Sequence, residues 1–163
     1  PLLQKSVSGR PRLRFALAPE PLRILGDAAR LEQVLFNLVT NAGDATLEKG
    51  EILVSTGTVD ASEARWQTEP AASAARAIRL EVRDTGVGMR QEVLDHLFEP
   101  FFSTKSPDHG SGLGLASVYG IVQQSGGVIR VASEAGQGTQ FSVYFPERTD
   151  ATPDARDGSS VSV

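Results

Sequence analysis

One long amphipathic stretch, residues 27–50, constrains the fold more than any other feature of this chain. Asp27 is suited to cap the start of a helix, and Gly50 is predicted to mark its stop. Between them, apolar residues recur at helical spacing, at Leu31, Leu35, Leu38, Ala42 and Ala45. A helix with one apolar side is stable when that side packs against another layer of the protein.

The segments around this helix predict what that layer is. Alternating patterns favour strands at 12–18, 51–59 and 77–86 and a hairpin at 128–146, and helical patterns recur at 90–98 and 113–127. This order lacks the regular strand–helix alternation of a doubly wound parallel sheet. It predicts an α+β two-layer sandwich, in which about three helices pack on one face of a mixed β-sheet.

The chain is long enough for one domain with a sizeable core. We expect this domain at 11–146, after a linker at 1–10 and before a disordered tail or linker at 147–163, which lacks apolar periodicity. Residues 60–75 are rich in Ala, Ser and Glu and predict a surface insertion. Since the chain starts at Pro1, we expect a piece of a larger protein, although removal of an initiator methionine would give the same start.

Composition excludes several classes of function. The net charge of -4 and the lack of a basic stripe argue against a nucleic-acid binder. The absence of cysteine excludes disulfides, thiol nucleophiles and cysteine-ligated zinc. No apolar run approaches membrane-spanning length and no signal peptide is present, so we expect a cytoplasmic domain.

A polar stripe interrupts the long helix. Asn37, Asn41 and Asp44 lie at i, i+4 and i+7, which puts them on one side of it. A solvated helix face would explain the stripe equally well. Asparagine is nevertheless a poor helix former, and its amide oxygen suits Mg²⁺ that takes its remaining ligands from phosphates and water.

A second polar motif, "VRDTGVGM", ends a predicted strand with Asp84 and continues through Gly86 and Gly88. One interpretation is a tight turn with an exposed carboxylate. The other is a binding site, in which the carboxylate accepts a hydrogen bond from an exocyclic amine and the glycines let a flat ring approach the backbone.

The stretch "DHGSGLGLASVYG" carries glycines at Gly110, Gly112 and Gly114. A P-loop would need Lys and then Ser or Thr after the last glycine, where this chain has Leu115 and Ala116. A dinucleotide fingerprint would follow a strand, and a protein-kinase glycine loop would be followed by "HRD" and "DFG". These three patterns fail, which leaves a glycine-hinged loop ending at a helix N-terminus that favours an anion.

Together the motifs resemble the catalytic and ATP-binding domain of sensor histidine kinases. "NLVTNAGDA" is similar to its N box, "DTGVGM" to its first glycine box, and "LFEPFFSTK" to its F box. "GSGLGLASVYGIV" is similar to its second glycine box, and "GQGT" to its last glycine motif. The resemblance covers about residues 11–146 and implies the Bergerat-type ATP-binding fold, which the gyrase, Hsp90 and MutL ATPase domains share.

The resemblance implies a role for each matching residue. Asn41 would ligate Mg²⁺, with Asn37 beside it supporting the phosphates or the waters of the metal. Asp84 would bind the adenine amine, and Gly86 and Gly88 would pass close to the adenine. The other nucleotide-binding positions that the resemblance implies are Thr104, Gly110, Gly112, Leu113, Gly114, Leu115 and Thr139.

The resemblance also implies a long mobile lid over ATP at residues 98–112, with the glycines as hinges. Lys105 is the cation best placed to reach the γ-phosphate, although it would equally suit a solvated lid. Many relatives have a basic residue where this chain has Asp44, which gives Lys105 and the lid amides more of the phosphate contact. Thr139 would line the adenine end.

The resemblance implies phosphoryl transfer rather than hydrolysis. Hydrolytic relatives carry a Glu as general base one helical turn before the magnesium-binding Asn, and this chain has Asn37 there, which cannot accept a proton at neutral pH. His96 and His109 lack the setting of a phosphoacceptor. The acceptor is expected on a dimerisation and histidine-phosphotransfer domain before residue 1, in a homodimeric full-length protein that a membrane could anchor.

Further partners follow from the same resemblance. We expect the protein to bind ATP and ADP and to serve the receiver domain of a response regulator. Three alternatives remain open from the sequence: a nucleotide-gated interaction module without transfer, a hydrolytic ATPase of the gyrase or Hsp90 type, and a serine kinase of the anti-sigma type.

Overall fold

The computed structural model describes residues 11–47, 49–66, 75–104 and 112–148 and the short strand 160–162. Its strands are β1 (Arg12–Ala16), β2 (Arg23–Leu25), β3 (Glu51–Asp60), β4 (Arg76–Asp84), β5 (Val128–Glu134), β6 (Gly138–Pro146) and β7 (Ser160–Ser162). Its helices are α1 (Ala28–Ala45), α2 (Ala61–Ala64), α3 (Gln91–Leu94) and α4 (Gly114–Gln124).

Five of the strands form a mixed sheet in the order β1-β3-β4-β6-β5. β1 runs parallel to β3, and the other pairings in this sheet are antiparallel. The two-layer α+β prediction with a mixed sheet is confirmed. The short strand β2 was not predicted, and it pairs antiparallel with β7.

One face of the sheet carries the main core. Alternate residues of β4 point into it, at Ile78, Leu80 and Val82, and meet Val34 and Leu38 of α1. Residues from α4 (Val118, Ile121 and Val122) and from β6 (Phe141, Val143 and Phe145) complete the same cluster. Each such fully buried side chain stabilises the fold by roughly 1.5–3 kcal/mol relative to an exposed one.

Helix α1 begins where the sequence predicts and ends earlier. The Asp27 carboxylate accepts a hydrogen bond from the Arg30 amide at 3.2 Å, so Asp27 is the N-cap. The chain leaves the helix at Thr46, which is extended and whose hydroxyl donates to the Ala42 carbonyl at 2.6 Å. The predicted stop at Gly50 is therefore wrong. A Cβ at Gly50 would lie 2.2 Å from Thr46 Cγ2, so the glycine permits close packing instead.

The predicted insertion contributes α2, which lies on the opposite face of the sheet from α1 and α4. Ala64 of α2 packs with Ala77 and Tyr144, whose side chains point away from the main core. Arg130 Nη2 donates to the carbonyl oxygens of Ala64 and Arg65, at 3.1 and 2.7 Å. This arginine satisfies carbonyls at the end of α2 and ties the insertion to β5.

The tail also differs from expectation in one place. Residues 147–163 were predicted to lack regular structure, whereas Ser160–Ser162 pair with β2 in the register Ile24 to Val161. Ile24 itself is buried in the main core, which holds β2 against the domain. Among the described residues, no helix is both long and apolar enough to cross a membrane.

Candidate functional site

A cavity of about 510 Å³ opens between α1, the end of the sheet and the start of α4. This volume is in the usual range for a site that encloses a small organic ligand. Nine of the residues that the sequence predicts for binding line it, namely Asn37, Asn41, Asp84, Gly88, Thr104, Gly112, Gly114, Leu115 and Thr139. Segments that are far apart in the chain therefore converge on one space.

The other four predicted residues fall into two groups. Gly86 and Leu113 lie beside the cavity without forming its wall. Lys105 and Gly110 lie outside the described residues. Their predicted roles at the phosphates and in the lid stay predictions.

The sequence reasoning missed the apolar wall of the cavity. Met89, Val93, Leu97 and Phe102 contribute to this wall, and Leu97 also belongs to the main core. The spacing of Val93 and Leu97, four residues apart, could have indicated an apolar helix face. Which space that face would line depends on the tertiary contacts of α3.

Asp84 is the charged group set deepest in the cavity wall. It ends β4 on the core side of the sheet and is 3% exposed. Its Oδ1 accepts hydrogen bonds from the backbone amides of Gly86 and Thr139, at 2.8 and 3.3 Å. Both described hydrogen bonds end on Oδ1, which leaves Oδ2 as the oxygen that can accept from a ligand. Burial raises the pKa of this carboxyl, and the two amide hydrogen bonds partly oppose that rise.

The glycines after Asp84 have a role within the protein. A Cβ at Gly86 would lie 2.4 Å from the Ala45 carbonyl oxygen, at the end of α1. Gly88 has a φ of +63°, and a Cβ there would lie 1.9 Å from the Glu134 carbonyl oxygen. The sequence predicted that these glycines admit a flat ring. That role stays a prediction, and in the structure the glycines let the turn after β4 pack tightly between α1 and the β5–β6 turn.

Asn37 joins the polar stripe of α1 to the start of α4. Its half-buried Nδ2 donates to the Gly114 carbonyl oxygen at 3.2 Å, between residues 77 positions apart in the chain. A Cβ at Gly114 would lie 3.9 Å from Asn37 Cγ. The amide of Asn37 therefore holds the first residue of α4 in place at the cavity wall.

Gly112, the last residue of the predicted lid, contacts Phe101, which lies three residues after the start of that lid. The Phe101 amide donates to the Gly112 carbonyl oxygen at 3.0 Å, and both residues have a φ of +66°. A Cβ at Gly112 would lie 2.5 Å from the Phe101 carbonyl carbon. Gly112 thus has a steric reason to be glycine, because the backbone of Phe101 occupies the space of a side chain.

The α1 side of the cavity carries oxygen groups that suit a divalent cation. Asn41 and Asp44 both line the cavity from one side of α1. Within the described ranges, no group of three or more His, Cys, Asp or Glu residues forms a metal cage. One or two protein oxygens fit Mg²⁺, because this ion usually keeps several waters and binds the phosphates of its substrate.

The sandwich and its cavity define a class of protein, the Bergerat-type ATP-binding domains. The family model of the histidine kinase-, DNA gyrase B- and HSP90-like ATPases matches residues 26–149. Since this match spans most of the sequence, the chain belongs to that family. The resemblance drawn from the five motifs is confirmed at the level of the family and the fold.

Individual relatives agree with this assignment. The sensor kinase CckA of Brucella abortus is 41% identical over an alignment of 135 residues, and the match covers 80% of this chain and 14% of that protein. The catalytic domain of the histidine kinase ThkA, without nucleotide, has a TM-score of 0.65 and 30% identity, covering 83% of this chain and 78% of that one. Full-length ShkA with AMPPNP has a TM-score of 0.67 and 33% identity, covering 87% of this chain and 27% of that one.

The chain therefore corresponds to the catalytic domain of a histidine kinase and spans only a small part of the whole CckA protein.

Proposed function

We propose that this domain binds ATP with Mg²⁺ and donates the γ-phosphate to a histidine on a dimerisation and phosphotransfer domain of the same protein. The observation that carries the proposal is the convergence of Asp84 and Asn41 on one cavity. The first suits a base with an exocyclic amine, and the second suits the metal ion of a polyphosphate. A receiver domain of a response regulator would then take the phosphoryl group from the histidine.

The adenine end of the site is formed by Asp84, Thr139 and the apolar wall. A carboxylate that already accepts two backbone amides on Oδ1 is fixed in orientation. Its Oδ2 can accept one hydrogen of the adenine amine. Met89 and Phe102 provide apolar surfaces in the cavity wall. The faces of the adenine ring can pack against these surfaces and displace water from them.

The phosphate end of the site is formed by α1 and the first turn of α4. The first amides of a helix lack partners within the helix, and the helix dipole favours negative charge there. Gly114 and Leu115 begin α4 at the cavity wall. The hydrogen bond from Asn37 holds this turn in place. Asn37 therefore supports phosphate binding without having to contact the nucleotide itself.

We propose that Asn41 ligates Mg²⁺. Asp44 lines the same cavity three residues further along α1 and would support binding of the ion. When bound, the ion would neutralise charge on the phosphates. Thr104 and the lid residues Lys105 and Gly110 complete the site in this proposal. Lys105 would add positive charge at the γ-phosphate.

The transfer step needs an acceptor from outside the described structure. A neutral imidazole nitrogen of that histidine attacks the γ-phosphorus, a P–N bond forms, and the bond from the γ-phosphorus to the β–γ bridging oxygen breaks. ADP leaves with the electron pair, and the ring loses its other N–H proton to solvent. Positioning and charge neutralisation are most of what such a transfer asks of a protein. Asn37 supports transfer over hydrolysis, because its amide cannot act as a base for water.

The proposal extends to the whole protein in two respects. We propose that the full-length protein is a homodimer, because the acceptor histidine would lie on a dimerisation domain. We also propose that the catalytic domain works in the cytoplasm, where ATP is present. Its ligands in this proposal are ATP and ADP, and it does not bind nucleic acid.

The experiment that tests this function is phosphoryl transfer in trans. The domain is incubated with ATP labelled at the γ-phosphate and with a separate phosphoacceptor domain from the same protein or a relative such as CckA. We expect acid-labile, alkali-stable label on the acceptor, and loss of that label when Mg²⁺ is omitted. An acceptor with His→Ala at the phosphorylated position is the matched control and should stay unlabelled.

The same experiment separates the alternatives. Nucleotide binding without labelled acceptor would favour an interaction module controlled by ATP or ADP. Rapid release of inorganic phosphate without labelled acceptor would favour a hydrolytic ATPase of the gyrase or Hsp90 type. Label on a serine would favour a serine kinase.

The buried carboxyl of Asp84 predicts a pH dependence of ATP binding. Burial raises the pKa of Asp84 above its ordinary value of 3.8, and the protonated carboxyl offers a donor where the adenine amine needs an acceptor. We expect ATP affinity to fall as the pH is lowered from neutral through the raised pKa. Calorimetric titrations between pH 7 and 4.5 would measure it, and Asp84→Asn should lack this component.

The stability of the unliganded domain should move in the opposite direction. A carboxyl whose pKa is higher in the folded than in the unfolded state binds its proton more tightly when folded. Its contribution to the free energy of unfolding is therefore present below the unfolded pKa and is lost as the pH rises through the folded pKa. If the affinity of the wild-type domain and that of Asp84→Asn changed with pH in the same way, the placement of Asp84 against the base would be contradicted.

A further inference from the structure

Ser133 lies next to the cavity in a polar row that crosses the end of the sheet. It pairs with Thr139 on β6, and Thr139 pairs with Asp84 on β4. Ser133 shares the core-facing side of β5 with Ile129 and Val131. Thr139 and Asp84 line the cavity, whereas Ser133 stands behind them. None of the motifs of the sequence contains this serine.

The hydroxyl of Ser133 joins three segments of the chain. Its Oγ accepts a hydrogen bond from the Met89 amide at 2.9 Å and lies 3.0 Å from the Gly138 carbonyl oxygen. It also lies 2.9 Å from the Thr139 hydroxyl oxygen. Ser133 thereby connects the turn after β4, the β5–β6 turn and the floor of the cavity.

Proton counting gives the one arrangement in which all three contacts of the Ser133 hydroxyl are hydrogen bonds. A serine hydroxyl has one proton and two acceptor sites. The Gly138 carbonyl oxygen can only accept, so it takes the Ser133 proton, and the Met89 amide fills one acceptor site. The second acceptor site is then filled by the Thr139 proton. Because the Thr139 hydroxyl donates its proton to Ser133, it can only accept hydrogen bonds from a ligand in the cavity.

We infer that Ser133 is a specificity-determining residue, which keeps the Thr139 hydroxyl an acceptor so that the site selects a base with an amino group. The inference rests on the proposed binding of ATP. Asp84 Oδ2 and Thr139 Oγ1 then both present lone pairs to the base. An adenine amine has hydrogens for them, whereas the 6-carbonyl of inosine or guanine presents an acceptor and is repelled.

The test measures the dissociation constants of ATP and inosine triphosphate by calorimetry. Inosine triphosphate differs from ATP only in having a carbonyl in place of the amine and a proton on the adjacent ring nitrogen. In Ser133→Ala, the Thr139 proton loses its acceptor and can turn to the inosine carbonyl. We expect the preference for ATP over inosine triphosphate to fall by roughly 10-fold, as for the gain or loss of one good hydrogen bond.

Two controls separate specificity from general damage. Ser142→Ala removes another serine hydroxyl from the same sheet, on the face away from the cavity, and should leave the preference unchanged. In a Thr139→Val background, Ser133→Ala should no longer change the preference, because the hydroxyl through which it acts is absent. Where Ser133→Ala melts too low to measure, Ser133→Cys replaces it, since a thiol is a weak partner.

The outcomes distinguish failure of the inference from failure of the proposed function. A fall in affinity by the same factor for both nucleotides would mean that Ser133 only supports the fold, and would overturn the inference. An unchanged preference would overturn it as well. A wild-type domain that binds neither nucleotide at millimolar concentration would overturn the proposed function itself, and the specificity assignment with it.

Discussion

Replacing Asp84 by Asn is expected to weaken ATP binding by roughly 100-fold, as for the loss of a hydrogen bond to a charged group. The carboxylate has acceptors on both oxygens, and Oδ1 already serves the amides of Gly86 and Thr139. An asparagine has one acceptor oxygen. Either those two amides lose their partner, or the new NH₂ group meets the hydrogens of the adenine amine.

Calorimetric titration of ATP into the domain, with Mg²⁺ present, measures this effect. Asp95→Asn is the matched control, because it makes the same chemical change on an exposed carboxylate that accepts from Gln91 at 2.7 Å. It should leave ATP affinity unchanged. Asn37→Ala should weaken ATP far less than Asp84→Asn, since Asn37 holds the start of α4 rather than the base. Equal losses for Asp84→Asn and Asn37→Ala would contradict the assignment of the adenine end.

Replacing Gly88 by Ala is expected to lower the free energy of unfolding by roughly 3–5 kcal/mol, the sum of a left-handed backbone strain and an overpacking cost. The φ of +63° disfavours any side chain there, and the new Cβ would lie 1.9 Å from the Glu134 carbonyl oxygen. That oxygen belongs to the backbone of β5, so it cannot move without displacing the strand. Urea unfolding followed by circular dichroism would measure the loss.

Gly136→Ala is the matched control for this prediction. Gly136 has a φ of +82° in the neighbouring turn, and nothing lies within 4 Å of the position of its Cβ. It should therefore show the backbone strain alone, roughly 1–2 kcal/mol. A Gly88 variant no less stable than the Gly136 variant would show that the close approach to Glu134 is not rigid.

The fold was largely predictable because its local patterns agree with one another. The Asp27 cap and the apolar spacing of α1 are properties of consecutive residues, and they placed the start of the helix correctly. Its end was misplaced, because Gly50 looks like a stop in sequence. The extended backbone at Thr46 ends the helix. Gly50 is needed instead because the loop after the helix packs too closely there to admit a side chain.

The candidate site was predictable in its polar members and not in its walls. Asp84 and Asn41 stand in polar motifs that drew attention by themselves, whereas Thr139 was implied by the family resemblance, and all three line the cavity. Ser133 was not found, because an isolated serine in a strand carries no local signal. The role inferred for it depends on its contact with Thr139 and on the hydrogen bond from Met89, 44 residues away in the chain.

The sequence by itself determined the family, the two-layer class and nine of the twenty described residues that line the cavity, since periodicity, caps and motif spacing are properties of neighbouring residues. Only the tertiary structure decided how those residues are held. It placed α2 on the far face, set the amide of Asn37 against Gly114, and packed Gly88 against Glu134. These are contacts between distant segments, and their geometry depends on strand register and helix packing that no local pattern specifies.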